Sequence, residues 1–459
     1  MPHTRAFRKS ANAIDCSLAR GVMLDETSCE YGFHATRRGF MAETARALLG
    51  VSCAASLANS PCGAVAHAAE TAAVAGRGKA KSVIFLFMNG AMSHLDTLDP
   101  KPGTSSQGQT QTISSRLPGV VLADKLPKLA YLMNGIALVR SMSTETGAHE
   151  QGTYIMRTSY KPLNSIRHPG LGAWAGHVLE RSNPNLPGNV LIGPATGHPS
   201  AGFLPAALAP VPISDATVGL ENTQPPSYLS DKQFRARMAL ARQFDTSFNA
   251  QYQSQLIEAY DQTYREAVRL MGSSELKAFD ISQENEAIRE LYGNTRLGQG
   301  CLLARRLVES GVRFVEVDYG NWDHHNDIYK QVPDMTTELD NALGALIHDL
   351  ANRRMLGEVL VVLSTEFGRS PQINENAGRD HHPAVFSSLL CGAGIQGGAV
   401  YGQSDSLGHS VQDDAVSHQD MNATIAHALG LPLEQDFVAP NGRPFRICDD
   451  GVPLTKLLI

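Results

Sequence analysis

Three short motifs in the last third of this 459-residue chain carry acidic and imidazole side chains at close spacing. They are Gly320-Asn321-Trp322-Asp323-His324-His325, Thr365-Glu366-Phe367-Gly368-Arg369 and Gly378-Arg379-Asp380-His381-His382-Pro383. In a turn, the spacing of Asp323 and His325 aims both side chains at one ion. Glu366 follows a second apolar run, and Asp380 and His381 come from the loop beyond it. Nitrogen and oxygen donors from three segments are what a catalytic divalent site needs while keeping a coordination position open. Carboxylates mixed with imidazoles suit Zn or Mn, and also Fe, better than Ca. An ion held there would lower the pKa of a coordinated water or hydroxyl and produce a nucleophile near neutral pH. The competing reading is a surface loop of hydrogen-bonded carboxylates and stacked histidines. Recurrence of such clusters at successive strand ends favours the metal.

Other residues are candidates for the same chemistry. His94 and Asp96, after the first apolar run, could add a second ion or substrate contacts, although Asp before Thr or Pro also serves turns. Thr144 lies in Arg140-Ser141-Met142-Ser143-Thr144-Glu145-Thr146-Gly147-Ala148-His149. Its hydroxyl is a candidate nucleophile, activated by a metal and by helix-terminal amides. A plain helix cap is the alternative for Thr144. His149 is a candidate acid/base or substrate contact. Arg369 is a candidate clamp for an oxyanion, or else the partner of Glu366 or Asp380.

The elements that must position these groups read as an α/β domain. Ser82–Met88 is a continuous apolar run closed by Asn89-Gly90, as in a buried central strand. Ile136–Val139, Val312–Asp318, Val359–Ser364 and Val385–Cys391 read as further strands. Leu302, Leu303, Leu307 and Val308 make a helical stripe ended by Gly311. Leu339, Leu343, Leu346, Ile347 and Leu350 form one face of an amphipathic helix. Strand, helix and strand in that order predict a βαβ unit with parallel pairing. Ligands at the ends of parallel strands converge on one sheet edge, where open α/β sheets place their sites. A late helix is expected from Asp420 to Leu429, stopped by Gly430. Residues 187–226 are rich in Pro and Gly and read as irregular; 231–292 read as helical. Together they suggest an insertion over about 187–295.

Composition bounds the function. The chain is 42% hydrophobic and 18% charged, with a formal net charge of -6, and it has no basic cluster to meet a phosphate backbone. That argues against nucleic acid as the main partner. The seven cysteines show no paired metal spacing, and four of them fall in the N-terminal stretch. There, Thr36-Arg37-Arg38-Gly39-Phe40-Met41 precedes a weakly apolar run from Ala45 to Leu57, too short to anchor in a membrane. Ala66-His67-Ala68 then supplies a cleavage pattern. The order resembles a twin-arginine export signal over residues 1–68, read by the twin-arginine translocation machinery, with 69–459 as the mature domain in the periplasm or outside the cell. An amphipathic first helix is the alternative.

Taken together, the arginine pair, Ser93-His94-Leu95-Asp96-Thr97-Leu98-Asp99-Pro100-Lys101-Pro102, Arg140-Ser141-Met142 and the three acidic motifs resemble the domain-of-unknown-function 1501 family of exported proteins. That family is similar to the alkaline phosphatase superfamily, with its sulfatases and phosphomutases. The resemblance implies a mixed, mostly parallel sheet between helices and a two-metal site with a Ser, Thr or modified Cys nucleophile; departures at Phe367 and Asn89 leave the count at one or two ions. It implies a hydrolase of phosphate or sulfate esters acting on a small-molecule or glycan substrate. On it, Asp323, His325 and His381 match one metal's ligands, Glu366 stands where the second metal's Asp would, and Thr144 falls near the nucleophile. Phe367 stands where a second His is usual, and Asn89 where a first-strand Asp is usual. These two departures support the alternative of a catalytically degenerate, sulfatase-like binding protein of the cell envelope.

Replacing Arg37 and Arg38 together by Lys is expected to retain the protein in the cytoplasm, and the exported form is expected to begin near Ala69. Cell fractionation with N-terminal sequencing checks both, and unchanged export of the variant would remove the twin-arginine assignment.

Overall fold

A computed structural model describes residues 77–221, 223, 227–252 and 255–459. Arg37, Arg38 and the Ala66-His67-Ala68 pattern lie outside the described residues. The main sheet has eight strands. They are β1 (Ser82–Met88), β2 (Ile136–Met142), β3 (Asn189–Ile192), β4 (Val211–Ile213), β5 (Phe314–Tyr319), β6 (Val359–Ser364), β7 (Phe386–Gly392) and β8 (Ala399–Tyr401). Their spatial order is β8-β2-β7-β6-β1-β5-β3-β4. β7 runs antiparallel to both of its neighbours, and every other pairing is parallel. This is the mixed, mostly parallel α/β architecture expected from the sequence.

β1 explains why the sheet is buried on both sides. All of its residues are buried. Ile84, Leu86 and Met88 face one core, and Val83, Phe85 and Phe87 face the other. The first core is closed by α6 (Arg296–Glu309) and α7 (Ile328–Asn352), through Leu302, Leu307, Leu339, Leu343 and Leu346. The second is closed by α3 (Leu171–Val178) and α8 (His418–Leu429), through Trp174, Met421 and Ile425. Each such large side chain contributes roughly 1.5–3 kcal/mol by leaving water. α8 begins at Ser417, whose hydroxyl and Asp420 form a capping box, and ends at Gly430 in the left-handed region (φ 81°). α1 (Pro127–Leu132) takes its cap from far away: Asp340 of α7 accepts from the Lys128 and Leu129 amides at 3.0 and 2.8 Å.

Two sequence expectations need correction. β5 and β6 are parallel but do not pair with each other, because β1 lies between them and bonds to both. The segment read as irregular supplies β3 and β4, which extend the sheet beyond β5. Short strands broken by Pro and Gly hide a period of two. The following helical stretch is present as α4 (Asp231–Tyr252) and α5 (Gln255–Met271).

β5 carries two acids on one face. Glu316 and Asp318 alternate with Val315 and Val317, so both point into the second core. Arg157, from α2 (His149–Thr158), meets them there: its Nε lies 2.6 Å from Glu316 and its Nη2 2.7 Å from Asp318. The guanidinium also lies over the Phe87 ring at 4.1 Å. His198 reaches Glu316 at 3.2 Å. Burial opposes charge on Glu316, but Arg157 and His198 outweigh it and hold the carboxyl near 2. At Asp318 burial wins over Arg157, with Glu316 adding to it, and the carboxyl is pushed up to about 6. These pairs lock α2 onto β5. Arg157→Met should therefore leave two buried acids without their cation and cost about 3–5 kcal/mol, read as a lowered urea midpoint. A loss under about 1 kcal/mol would show that the network does not hold α2.

Candidate metal centre

β1, β2, β5 and β6 run in one direction, so the loops after them meet at one sheet edge. Asp323 and His325 follow β5, Glu366 and Arg369 follow β6, and His149 opens α2 after β2. His381 arrives on a two-residue ladder, Gly368–Arg369 with His381–His382. His149, Asp323 and His381 place ligand atoms within 4.8 Å of one another. The Nε2 atoms of His149 and His325 each lie 3.0 Å from His381 Nε2. Asp323 Oδ1 is 3.1 Å from both His381 and His325, and Oδ2 is 3.3 Å from His149. Zn–N bonds of about 2.0–2.1 Å put neighbouring atoms of a tetrahedron about 3.3 Å apart, so the spacing of His149, Asp323 and His381 fits one ion.

The chemistry of the donors points the same way. His149 Nδ1 faces Glu366 Oε1 at 2.7 Å, and that oxygen also accepts the Gly90 amide at 2.8 Å. His381 Nδ1 faces the Gly147 carbonyl at 2.7 Å, and His325 Nδ1 faces Asp380 Oδ1 at 3.0 Å. All three partners are acceptors, so each Nδ1 carries a hydrogen, and in the neutral ring each Nε2 keeps its lone pair. The Nε2 atoms of His149 and His381 then meet the Asp323 carboxylate, which Arg369 also pairs, and this nitrogen and oxygen donor set suits a divalent cation. Outer acceptors of this kind fix the tautomer and orientation of metal-binding histidines.

The remaining candidates are placed as follows. Glu366 is fully buried on the far side of His149 from the cluster's centre, bonded to Gly90, His149 and Thr365 Oγ1. Asp380, mostly exposed, orients His325 and accepts from Asn374. Arg369 is buried; it bonds the carbonyls of Gly90, Ala91 and Arg379 and pairs with Asp323. Most of its donors are thus committed within the protein. Burial opposes the charge of Asp323, but the hydrogen bond and charge of Arg369 hold its carboxyl well below the ordinary range. The hydrogen bond to Glu366 raises the pKa of His149, and burial lowers that of His381.

His94 and Asp96 stand outside this group. Asp96 pairs with the buried Arg379 at 2.7 Å, which needs a carboxylate to offset its charge. His94 Nε2 faces the Gly408 carbonyl at 3.1 Å, and burial pushes its pKa down to about 4. Thr144 neither caps α2, whose N-cap is Ala148, nor hydrogen-bonds to Asp323 or Glu366. Its amide instead donates to Pro383, and its buried hydroxyl has no partner among the described residues. Sequence reasoning passed over the Gly147 carbonyl and the Gly90 amide, which carry no side-chain signal. It also passed over Glu316 and Asp318, whose two-residue spacing within an apolar strand was the available clue.

The model of the family described as "Protein of unknown function (DUF1501)" matches residues 80–458. The chain belongs to that family. A search of curated proteins gave no match. Among solved structures the chain is similar to a sulfatase from Pseudoalteromonas sp., at 14% identity and a TM-score of 0.41, covering 83% of this chain and 73% of that one. It is also similar to the lipoteichoic acid synthase LtaP from Listeria monocytogenes, at 10% identity and a TM-score of 0.40, covering 78% and 75%. A third is a protein of the alkaline phosphatase superfamily from Vibrio parahaemolyticus, at 11% identity and a TM-score of 0.37, covering 84% and 72%.

Replacing His149 or His381 by Ala is expected to weaken Zn binding by more than the roughly 10–100-fold typical of an outer partner, with an unchanged far-UV spectrum. Affinity should fall on acidification, because protons compete for the same nitrogens. Calorimetric titration checks both; wild-type affinity in either variant would remove that residue from the centre.

Proposed function

We propose that this protein is an exported, metal-dependent hydrolase of phosphate or sulfate esters. The observation that carries the metal reading is that ligand atoms of His149, Asp323 and His381 lie within 4.8 Å of one another, with His325 Nε2 beside His381. His149, Asp323 and His381 would hold a divalent ion, Zn or Mn by donor type, and His325 closes from the side of Asp380. When bound, such an ion supplies Lewis-acid polarisation of an ester oxygen and acidifies water.

The chain's own groups do the rest. Glu366, the Gly147 carbonyl and Asp380 orient the rings. Arg369 holds Asp323 ionised and in place. The Phe367 ring packs against His149 and His381, with centroids 5.0 and 4.9 Å away, and gives the cluster an apolar wall. Asp323 and His325 keep 44% and 40% of their side-chain surface exposed, so a substrate can approach from solvent. No hydrogen bond ties the Thr144 hydroxyl to the cluster, so in this reading water attacks phosphorus or sulfur and the ester oxygen leaves with a proton. The family resemblance supports the ester class, and the arginine pair supports export. No helix among the described residues is long and apolar enough to cross a membrane.

A second reading, a catalytically degenerate, sulfatase-like binding protein of the envelope, is favoured by Arg369, whose donors are spent on the protein rather than on an oxyanion. Turnover of an aryl phosphate and an aryl sulfate by the full chain separates the two. Hydrolysis lost to a chelator, restored by Zn or Mn, and reduced by only a few-fold in Thr144→Ala is the expected result. Loss of about a thousandfold in Thr144→Ala would restore Thr144 as nucleophile. Turnover indifferent to chelation would reject the metal-dependent hydrolase. Zn binding without turnover would favour the binding protein.

A further inference from the structure

We propose that the centre holds a single ion, and that Glu366 is a positioning residue for His149 and not a ligand of a second ion. The inference rests on the metal reading above. Glu366 follows β6 where a second ion's carboxylate would be sought, but its oxygens are already engaged. Oε1 accepts the Gly90 amide at 2.8 Å and His149 Nδ1 at 2.7 Å, and Oε2 faces the Thr365 hydroxyl at 2.9 Å. A carboxylate has about four acceptor positions. Two accept N–H donors, a third faces the Thr365 hydroxyl, whose one hydrogen also meets the Met88 carbonyl at 2.6 Å, and the side chain has no exposure to solvent.

The space around it is closed as well. A Cβ on Gly90 would lie 2.6 Å from the Trp322 amide nitrogen and 2.7 Å from that of Asp323, so the β1 turn sits directly on the stretch that carries Asp323. On the other side, a Cβ on Gly152 of α2 would lie 3.0 Å from Phe367 and 3.1 Å from Glu366 Cβ. Backbone from β1 and from α2 therefore encloses the Glu366–Phe367 pair. Phe367, next in the chain, offers no ligand atom, since its ring is carbon only. His149, Asp323 and His381 form the one group of at least three potential ligands among the described residues.

The role left for Glu366 is to hold the hydrogen on His149 Nδ1, so that Nε2 carries its lone pair into the cluster. Such outer partners typically change metal affinity by about 10–100-fold when removed. A glutamine at this position keeps an acceptor oxygen for Nδ1, and its amide can donate to the Thr365 hydroxyl. A glutamine is, however, a much poorer metal ligand than a carboxylate.

The test is Zn titration of the full chain by calorimetry, with metal counted by elemental analysis, for wild type, Glu366→Gln and Glu366→Ala. Thermal melts of the metal-free proteins check that each variant folds. One equivalent is expected in wild type. Glu366→Ala should keep one equivalent with affinity lowered about 10–100-fold, and Glu366→Gln should stay within a few-fold of wild type. Two equivalents in wild type would overturn the single-ion inference and leave the metal reading standing. Glu366→Gln as damaging as Glu366→Ala would make Glu366 a ligand. No bound Zn in wild type would overturn the metal reading and this inference with it. The readout is binding, so it holds whether or not an ester is turned over.

Discussion

The guanidinium of Arg369 is the interaction on which the site's geometry rests. It sits where the loops after β1, β5 and β6 meet, and it bonds to each: Gly90 and Ala91 after β1, Asp323 after β5, and Arg379 in the loop that leads to His381. A buried cation is costly unless its donors are met, and this one is met mainly by carbonyls that belong to different segments. Those segments cannot move apart without stranding it. The same residue keeps Asp323 charged, so placement and electrostatics come from one side chain.

A second buried cation does comparable work at the far end of α2. Arg157 ties that helix to β5 through Glu316 and Asp318, and His149 lies at the helix's first position. β5 in turn leads to Asp323. The two donors come from chain positions far apart in sequence, yet each is joined to the same strand by a short, rigid path. A rigid frame behind a partly exposed cluster is what a metal centre needs, because a ligand displaced by an ångström loses much of its bond.

The cluster and its surroundings divide the acids by exposure. Glu366 is enclosed and spent on orientation, whereas Asp323 and Asp380 remain open to solvent. Enclosure makes Glu366 a fixed acceptor. Openness leaves Asp323 able to share its charge with whatever approaches. Phe367 fits this division, since an aromatic ring against two imidazoles excludes water from one side and leaves the other free.

Much of this was legible in the chain itself. The continuous apolar runs of β1 and β6 have the bounds expected from sequence, because strands buried on both faces need no polar alternation. The leucine stripe of α7 and the glycine stop of α8 were equally readable, since periodicity and left-handed caps are local. Asp323, His325 and His381 are candidates by type and spacing, and the structure brings them within 3.0–3.1 Å of one another. What tertiary structure decided was partnership. β1 between β5 and β6, and β3 and β4 at the sheet's end, depend on pairings between distant segments that no local pattern encodes. His149 joins the cluster, and Asp96 leaves it for Arg379, for the same reason. A carboxylate or imidazole has a fixed chemistry in the sequence, but whether it faces a metal site, a buried arginine or a backbone amide is set by which chain segment the packed core brings against it.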